Sequence, residues 1–166
     1  WTVEPSGDTL ASFADYLVDF ATDFLRPSGV RLELAVADPM PPLPLSRALK
    51  RQLSLFAKEA LNNIVKHSGA RRVVLRLEAA AGGFTVEIVD DGCGLSSPPV
   101  AASGVRSRSI GSLGLASLRA RAEAIGGRMF IRSVPGEGTA LRLEVVGPIG
   151  GGGVARPDGA PPTATA

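Results

Sequence analysis

Hydrophobic periodicity along this chain switches between about 3.6 and 2 residues, and the order of the switches leaves few architectures open. From Asp8 onward, Leu10, Phe13, Ala14, Leu17, Val18, Ala21, Phe24 and Leu25 recur at three- and four-residue steps, which predicts an amphipathic helix. Asp8 or Thr9 can cap its start, and Pro27 with Gly29 ends it. A short strand, VRLELAV at 30–36, leads into DPMPPLP, whose fixed φ angles and missing N–H donors bar regular structure until about Ser46. A second helix then runs to His67. Two alternating segments, Arg72 to Ala79 and Phe84 to Val89, are joined by AAGG and read as neighbouring strands. Residues 90–112 are rich in Gly, Ser and Pro, and a loop this long inside a domain is a functional lid or disordered. A third helix, about Leu113 to Ile125, stops at Gly126-Gly127, and two last strands, RMFIRSV and TALRLEV, turn on PGEG. The expected fold is therefore α+β, a mixed β-sheet with its helices packed on one face.

At 166 residues the chain is long enough for one domain with a sizeable core. From Gly147 onward the run GPIGGGGVARPDGAPPTATA has almost nothing to bury and is expected to be a disordered tail. A formal net charge of +2, with arginines in small scattered groups, does not argue for nucleic acid. The single cysteine, Cys93, excludes an internal disulfide framework and fits a reducing, cytoplasmic compartment. No apolar run approaches the roughly 18 residues that would span a bilayer. The chain begins at Trp1 rather than Met, which suggests a piece of a longer protein.

Three segments carry chemistry. In KEALNNIVKHSGA, residues 58–70, a helical step of about 100° places Glu59, Asn63 and Lys66 in one stripe with His67 at its edge. Ala57, Ala60, Leu61 and Ile64 lie roughly opposite. Such a stripe is ordinarily a solvated face, but a carboxylate, an amide oxygen and an ammonium also suit a magnesium nucleotide. The hard cation takes oxygen ligands and the lysine offsets phosphate charge. In IVDDGCG, residues 88–94, a strand ends in Asp-x-Gly-x-Gly. Asp90 there can accept from an exocyclic amine such as adenine's, whereas a guanine carbonyl would face it acceptor to acceptor. Gly92 and Gly94 remove side chains where a purine must approach backbone. In GSLGLASLRARAEAIGG, residues 111–127, Gly111 and Gly114 are expected to precede a helix whose free first amides form an anion site.

In order and spacing, EALNNIVKHS, DDGCG, GSLGLASLRARAEAIGG and PGEGTALRLEV resemble the N, G1 and G2 boxes and closing hairpin of the catalytic ATP-binding domain of sensor histidine kinases, within the GHKL superfamily shared with gyrase, Hsp90 and MutL. The pattern N-N-x-x-K-H-S followed by L-R-x-R-A-E-x-x-G-G is similar to the nitrate-sensor and DesK-like subfamily. The resemblance implies a Bergerat fold, a two-layer α/β sandwich, over residues 30–146. Residues 1–29 would then be a linker and helix joining to an absent dimerisation domain, and the lid would lie at about 95–112. It implies a catalytic set of Glu59, Asn63 and Lys66, with Asn63 on Mg2+ and Glu59 orienting water or metal. Lys66 and His67 would reach the phosphates of ATP, and Asp90 would hold the adenine amine beside Gly92 and Gly94. Gly111, Gly114 and Leu115 would form the lid's hinge, and Thr139 joins the nucleotide-binding set. Leu113 and Leu95 depart from the histidine and aromatic that many relatives carry there. The partners implied are a histidine-bearing dimerisation domain and a response regulator, in a homodimeric parent protein that is cytoplasmic or anchored in the inner membrane. His67 belongs to the N box and is not the phosphoacceptor. Other readings of the same residues are a GHKL ATPase, an anti-sigma-type serine kinase and a non-catalytic nucleotide-sensing module.

Overall fold

In a computed structural model, which describes residues 8–80, 82–95 and 110–146, Thr9 caps the first helix, α1 (Leu10–Leu25). The Ser12 amide donates to the Thr9 hydroxyl at 3.2 Å, and the Thr9 amide donates to the Ser12 hydroxyl at 3.1 Å, so two of the helix's free donors are satisfied. The expected apolar stripe is the buried one: Leu10, Phe13, Ala14, Leu17, Ala21 and Leu25 enter the core. A 3-10 turn over Arg26–Ser28 and a left-handed Gly29 stop the helix and release the first strand, β1 (Arg31–Val36).

After the proline-rich turn, Ser46 accepts from the Leu49 amide and starts α2 (Arg47–Asn63). Beyond Asn63 the backbone widens into a π turn, Ile64–Ser68, which closes on a left-handed Gly69. The hairpin β2 (Arg72–Ala80) and β3 (Gly83–Asp90) follows, then α3 (Ile110–Ala124) and the hairpin β4 (Arg128–Val134) and β5 (Gly138–Val146). The five strands form one sheet in the order β1-β2-β3-β5-β4. Only β1 and β2 are parallel, so the sheet is mixed as expected.

Strand parity divides the sheet's two faces. Val73, Leu75 and Leu77, then Phe84, Val86 and Ile88, then Leu141, Leu143 and Val145 are all buried beneath the helices. The intervening positions face outward and carry ion pairs such as Arg76–Glu87 at 2.6 Å and Arg142–Glu144 at 2.9 Å. No helix among the described residues is long and apolar enough to cross a membrane.

One expected boundary is corrected. The third helix starts at Ile110 rather than Leu113, so Gly111 and Gly114 lie inside it instead of before it. Close packing of Gly114 against α2 holds the glycine inside the helix despite its low helix propensity. The linker ahead of Asp8, the lid between Leu95 and Ile110 and the tail from Gly147 lie outside the described residues.

Candidate functional site

Asp90 occupies the last inward position of β3, in series with Phe84, Val86 and Ile88. At 6% exposure it is the buried charged side chain among the described residues. Burial raises its pKa above the ordinary carboxylate value, and the neighbouring Asp91 charge adds to the rise. The Gly92 amide, which donates to Asp90 Oδ1 at 2.9 Å, and the amide of Thr139 act the other way. A carboxylate kept in so costly a place ends at a cavity, where it can accept from a ligand donor.

Asp91 points outward. Its Oδ1 accepts from the amides of Arg71 and Arg72 at 2.8 and 2.9 Å, tying the loop to the start of β2. The loop is held further on two sides. The Cys93 amide donates to the Ser68 carbonyl at 2.7 Å, and the Gly136 amide donates to the Cys93 carbonyl at 2.7 Å. Gly92 lies so close to Ser68 that a Cβ would stand 2.4 Å from the Ser68 carbonyl oxygen. Gly94 has φ 70°, and a Cβ there would stand 2.3 Å from the Val134 carbonyl oxygen. Backbone therefore packs on backbone at both glycines, which no other residue permits.

Across the cavity stands the C-terminal end of α2. The π turn advances each residue by less than the α-helical 100°, so His67 and Ser68 remain on the Asn63 side and Lys66 swings away. Asn63, His67, Ser68, Asp90 and Thr139 supply the polar lining, while Ala60, Ile64, Leu115 and Leu141 supply the apolar one. The cavity volume is about 80 Å³, several times the roughly 10–15 Å³ that one water needs. Gly94 and Leu95 complete the lining.

Of the residues singled out in the sequence, Asn63, His67, Asp90, Gly94, Leu115 and Thr139 meet at this cavity. Gly92 packs under Asp90. Gly114 abuts Asn63 and Glu59 at its edge: a Cβ there would meet Asn63 Oδ1 at 3.0 Å and Glu59 Oε1 at 3.2 Å. Lys66 is exposed on the π turn and is not part of the lining. Because α3 begins at Ile110, the Gly111 amide is among the helix's free first donors, whereas that of Gly114 is positioned to bond back within the helix. Sequence reasoning missed Ser68 and Ser133. Ser133 had a signal, since it is a polar residue at the inward parity of β4 after Met129 and Ile131.

A mixed sheet covered on one face by helices thus carries a buried carboxylate at a central strand end, across a cavity from a helix end that bears an amide and an imidazole. The family of histidine kinase-, DNA gyrase B- and HSP90-like ATPases matches residues 48–147, and the chain belongs to that family of ATP-binding domains. It is 28% identical to the sensor histidine kinase LiaS of Bacillus subtilis over 129 residues, 78% of this chain and 32% of that protein. It is 35% identical to the sensor histidine kinase NarS of Mycobacterium tuberculosis over 88 residues, 53% of this chain and 20% of that protein. The chain thus spans about a third or less of these relatives' lengths. Its fold matches the histidine kinase domain of a blue-light-activated histidine kinase from Erythrobacter litoralis, with a TM-score of 0.63 at 17% identity, covering 86% of this chain and 64% of that one. The fold of the Acinetobacter baumannii histidine kinase AdeS matches with a TM-score of 0.62 at 15% identity, covering 83% and 64%.

Proposed function

We propose that this chain is the catalytic, ATP-binding part of a sensor histidine kinase. It holds Mg-ATP for attack by a histidine on a separate dimerisation domain of a homodimeric, cytoplasmically facing parent protein. Residues 30–146 form the catalytic domain in this reading, and 1–29 join it to the dimerisation helices. The observation that carries it is Asp90, a buried carboxylate at a strand end that opens on a cavity able to take a base. Asp90 accepts from the adenine amine, Gly92 and Gly94 shape the base pocket by letting its loop pack on the Ser68 and Val134 backbone, and Leu115 with Thr139 flanks the base. His67 and the free amides at the start of α3, Gly111 among them, receive the phosphates, with Gly114 keeping α3 close to α2, and Lys66, exposed on the π turn, would have to reach them from outside the lining.

Magnesium fits the residues present. The Asn63 amide oxygen and a Glu59 carboxylate oxygen both lie within 3.2 Å of where a Gly114 Cβ would stand. No cluster of three or more His, Cys, Asp or Glu that could hold a metal occurs among the described residues. Magnesium takes one or two protein oxygens and otherwise arrives with the triphosphate. Bound there, magnesium would neutralise charge on the phosphates. The acceptor imidazole nitrogen attacks the γ-phosphorus, the bond to the β–γ bridging oxygen breaks and ADP leaves, so this chain's task is positioning and charge stabilisation. A response regulator then removes the phosphoryl group.

The test is to incubate the chain with γ-labelled ATP and Mg2+, alone and with its dimerisation segment restored. Label is expected on the dimerisation segment only. Steady hydrolysis by the isolated chain, with no transfer, would contradict the proposal and favour an ATPase.

A further inference from the structure

Ser133 lies outside the cavity lining, yet it forms three hydrogen bonds beside it. Asp90, Thr139 and Ser133 are register neighbours across β3, β5 and β4, all on the sheet's inward face. The Ser133 Oγ lies 2.8 Å from the Leu95 amide, 3.0 Å from the Gly138 carbonyl oxygen and 2.9 Å from the Thr139 Oγ1. A hydroxyl has one proton and two lone pairs. The Leu95 N–H can only donate, so it occupies one lone pair. The Gly138 carbonyl can only accept, so it takes the proton. The position facing Thr139 is therefore the second lone pair, and the Thr139 hydroxyl must donate to Ser133.

We infer that Ser133 is a specificity-determining positioning residue: by taking the Thr139 proton it leaves only acceptor lone pairs on Thr139 for the cavity. With the Asp90 carboxylate alongside, this end of the site presents two acceptors and no side-chain donor. Such a pair suits a purine with an amino group at its 6-position and rejects one with a carbonyl there, because the carbonyl would leave buried acceptors facing an acceptor. The inference rests on the proposed nucleotide site. It adds a residue that never touches the base.

The test compares ATP with inosine triphosphate, which carries a 6-oxo group, by titration of the unmutated chain, Ser133→Ala and Ser133→Thr in the presence of Mg2+. Removing the hydroxyl frees Thr139 to donate to the 6-oxo group. The preference for ATP over inosine triphosphate is expected to fall about 3- to 10-fold in Ser133→Ala, the worth of one neutral hydrogen bond. Ser133→Thr, which keeps the hydroxyl, should restore it. Equal weakening of both nucleotides in Ser133→Ala, or an unchanged ratio, would overturn the inference and leave Ser133 as an anchor for Leu95 alone. Failure of the unmutated chain to bind either nucleotide would overturn the nucleotide site itself and this assignment with it.

Discussion

Asp90 and Asp91 follow one another in sequence, but parity along β3 turns the first carboxylate into the cavity and leaves the second outside at the start of β2. Their titrations consequently oppose each other. Burial raises the Asp90 pKa above 3.8, so the folded state holds its proton more firmly than the unfolded one. Its contribution to stability is complete below 3.8 and is lost as pH rises through the folded value. For Asp91, slight burial is outweighed by the amides of Arg72 and Arg71 and the Arg72 charge, which lower its pKa. Its contribution is complete above 3.8 and is lost as pH falls through the folded value. Without nucleotide, Asp90→Asn should therefore melt at a higher temperature than the unmutated chain at pH 7, with the gain fading as pH approaches 4. The same substitution removes a charge-assisted hydrogen bond worth about 1.5–3 kcal/mol, and ATP affinity should drop on the order of 10- to 150-fold. A folded variant with unchanged affinity would remove Asp90 from the base contact.

Among the elements, the loop from Asp91 to Leu95 is the joint on which the site depends. It is tied to the end of α2 through Ser68, to β2 through Asp91 and to the β4–β5 hairpin through Ser133 and Gly136. Gly94→Ala should loosen that joint. The left-handed backbone alone costs an alanine about 1–2 kcal/mol, and its Cβ must also push the Val134 carbonyl aside. Urea unfolding should show a loss of at least that size, together with weaker nucleotide binding. The DDGCG pattern made this loop legible in sequence as a turn at a strand end, but the packing of its glycines on Ser68 and Val134 is distant along the chain and was not legible. The C-terminal end of α2 was legible only as far as Asn63. A 3.6-residue period assumes an α-helix, and the π turn that follows places Lys66 and His67 differently from that assumption. The start of α3 was misplaced because the packing of Gly114 on Asn63 and Glu59 is not local.

For the molecule as a whole, the mixed sheet with helices on one face could be read from alternating Val73, Leu75 and Leu77 and from the i, i+3, i+4 stripes of α1 and α2. The strand order β1-β2-β3-β5-β4 could not, since it depends on pairings distant along the chain. One core joins these layers, and Phe56 of α2, 1% exposed, stands within it. Phe56→Ala should cost about 3–5 kcal/mol, a large share of the roughly 5–15 kcal/mol that holds a domain of this kind folded. Chemical denaturation would register it as a lower midpoint. Whether the cavity between α2, β3 and β5 receives Mg-ATP can be measured by calorimetric titration with a slowly hydrolysed ATP analogue and Mg2+, beside GTP and beside Asn63→Ala. The adenine nucleotide is expected to bind, GTP not to bind at comparable concentration, and binding to weaken clearly when Asn63 is lost. No binding, or equal binding of ATP and GTP indifferent to Asn63, would contradict that expectation.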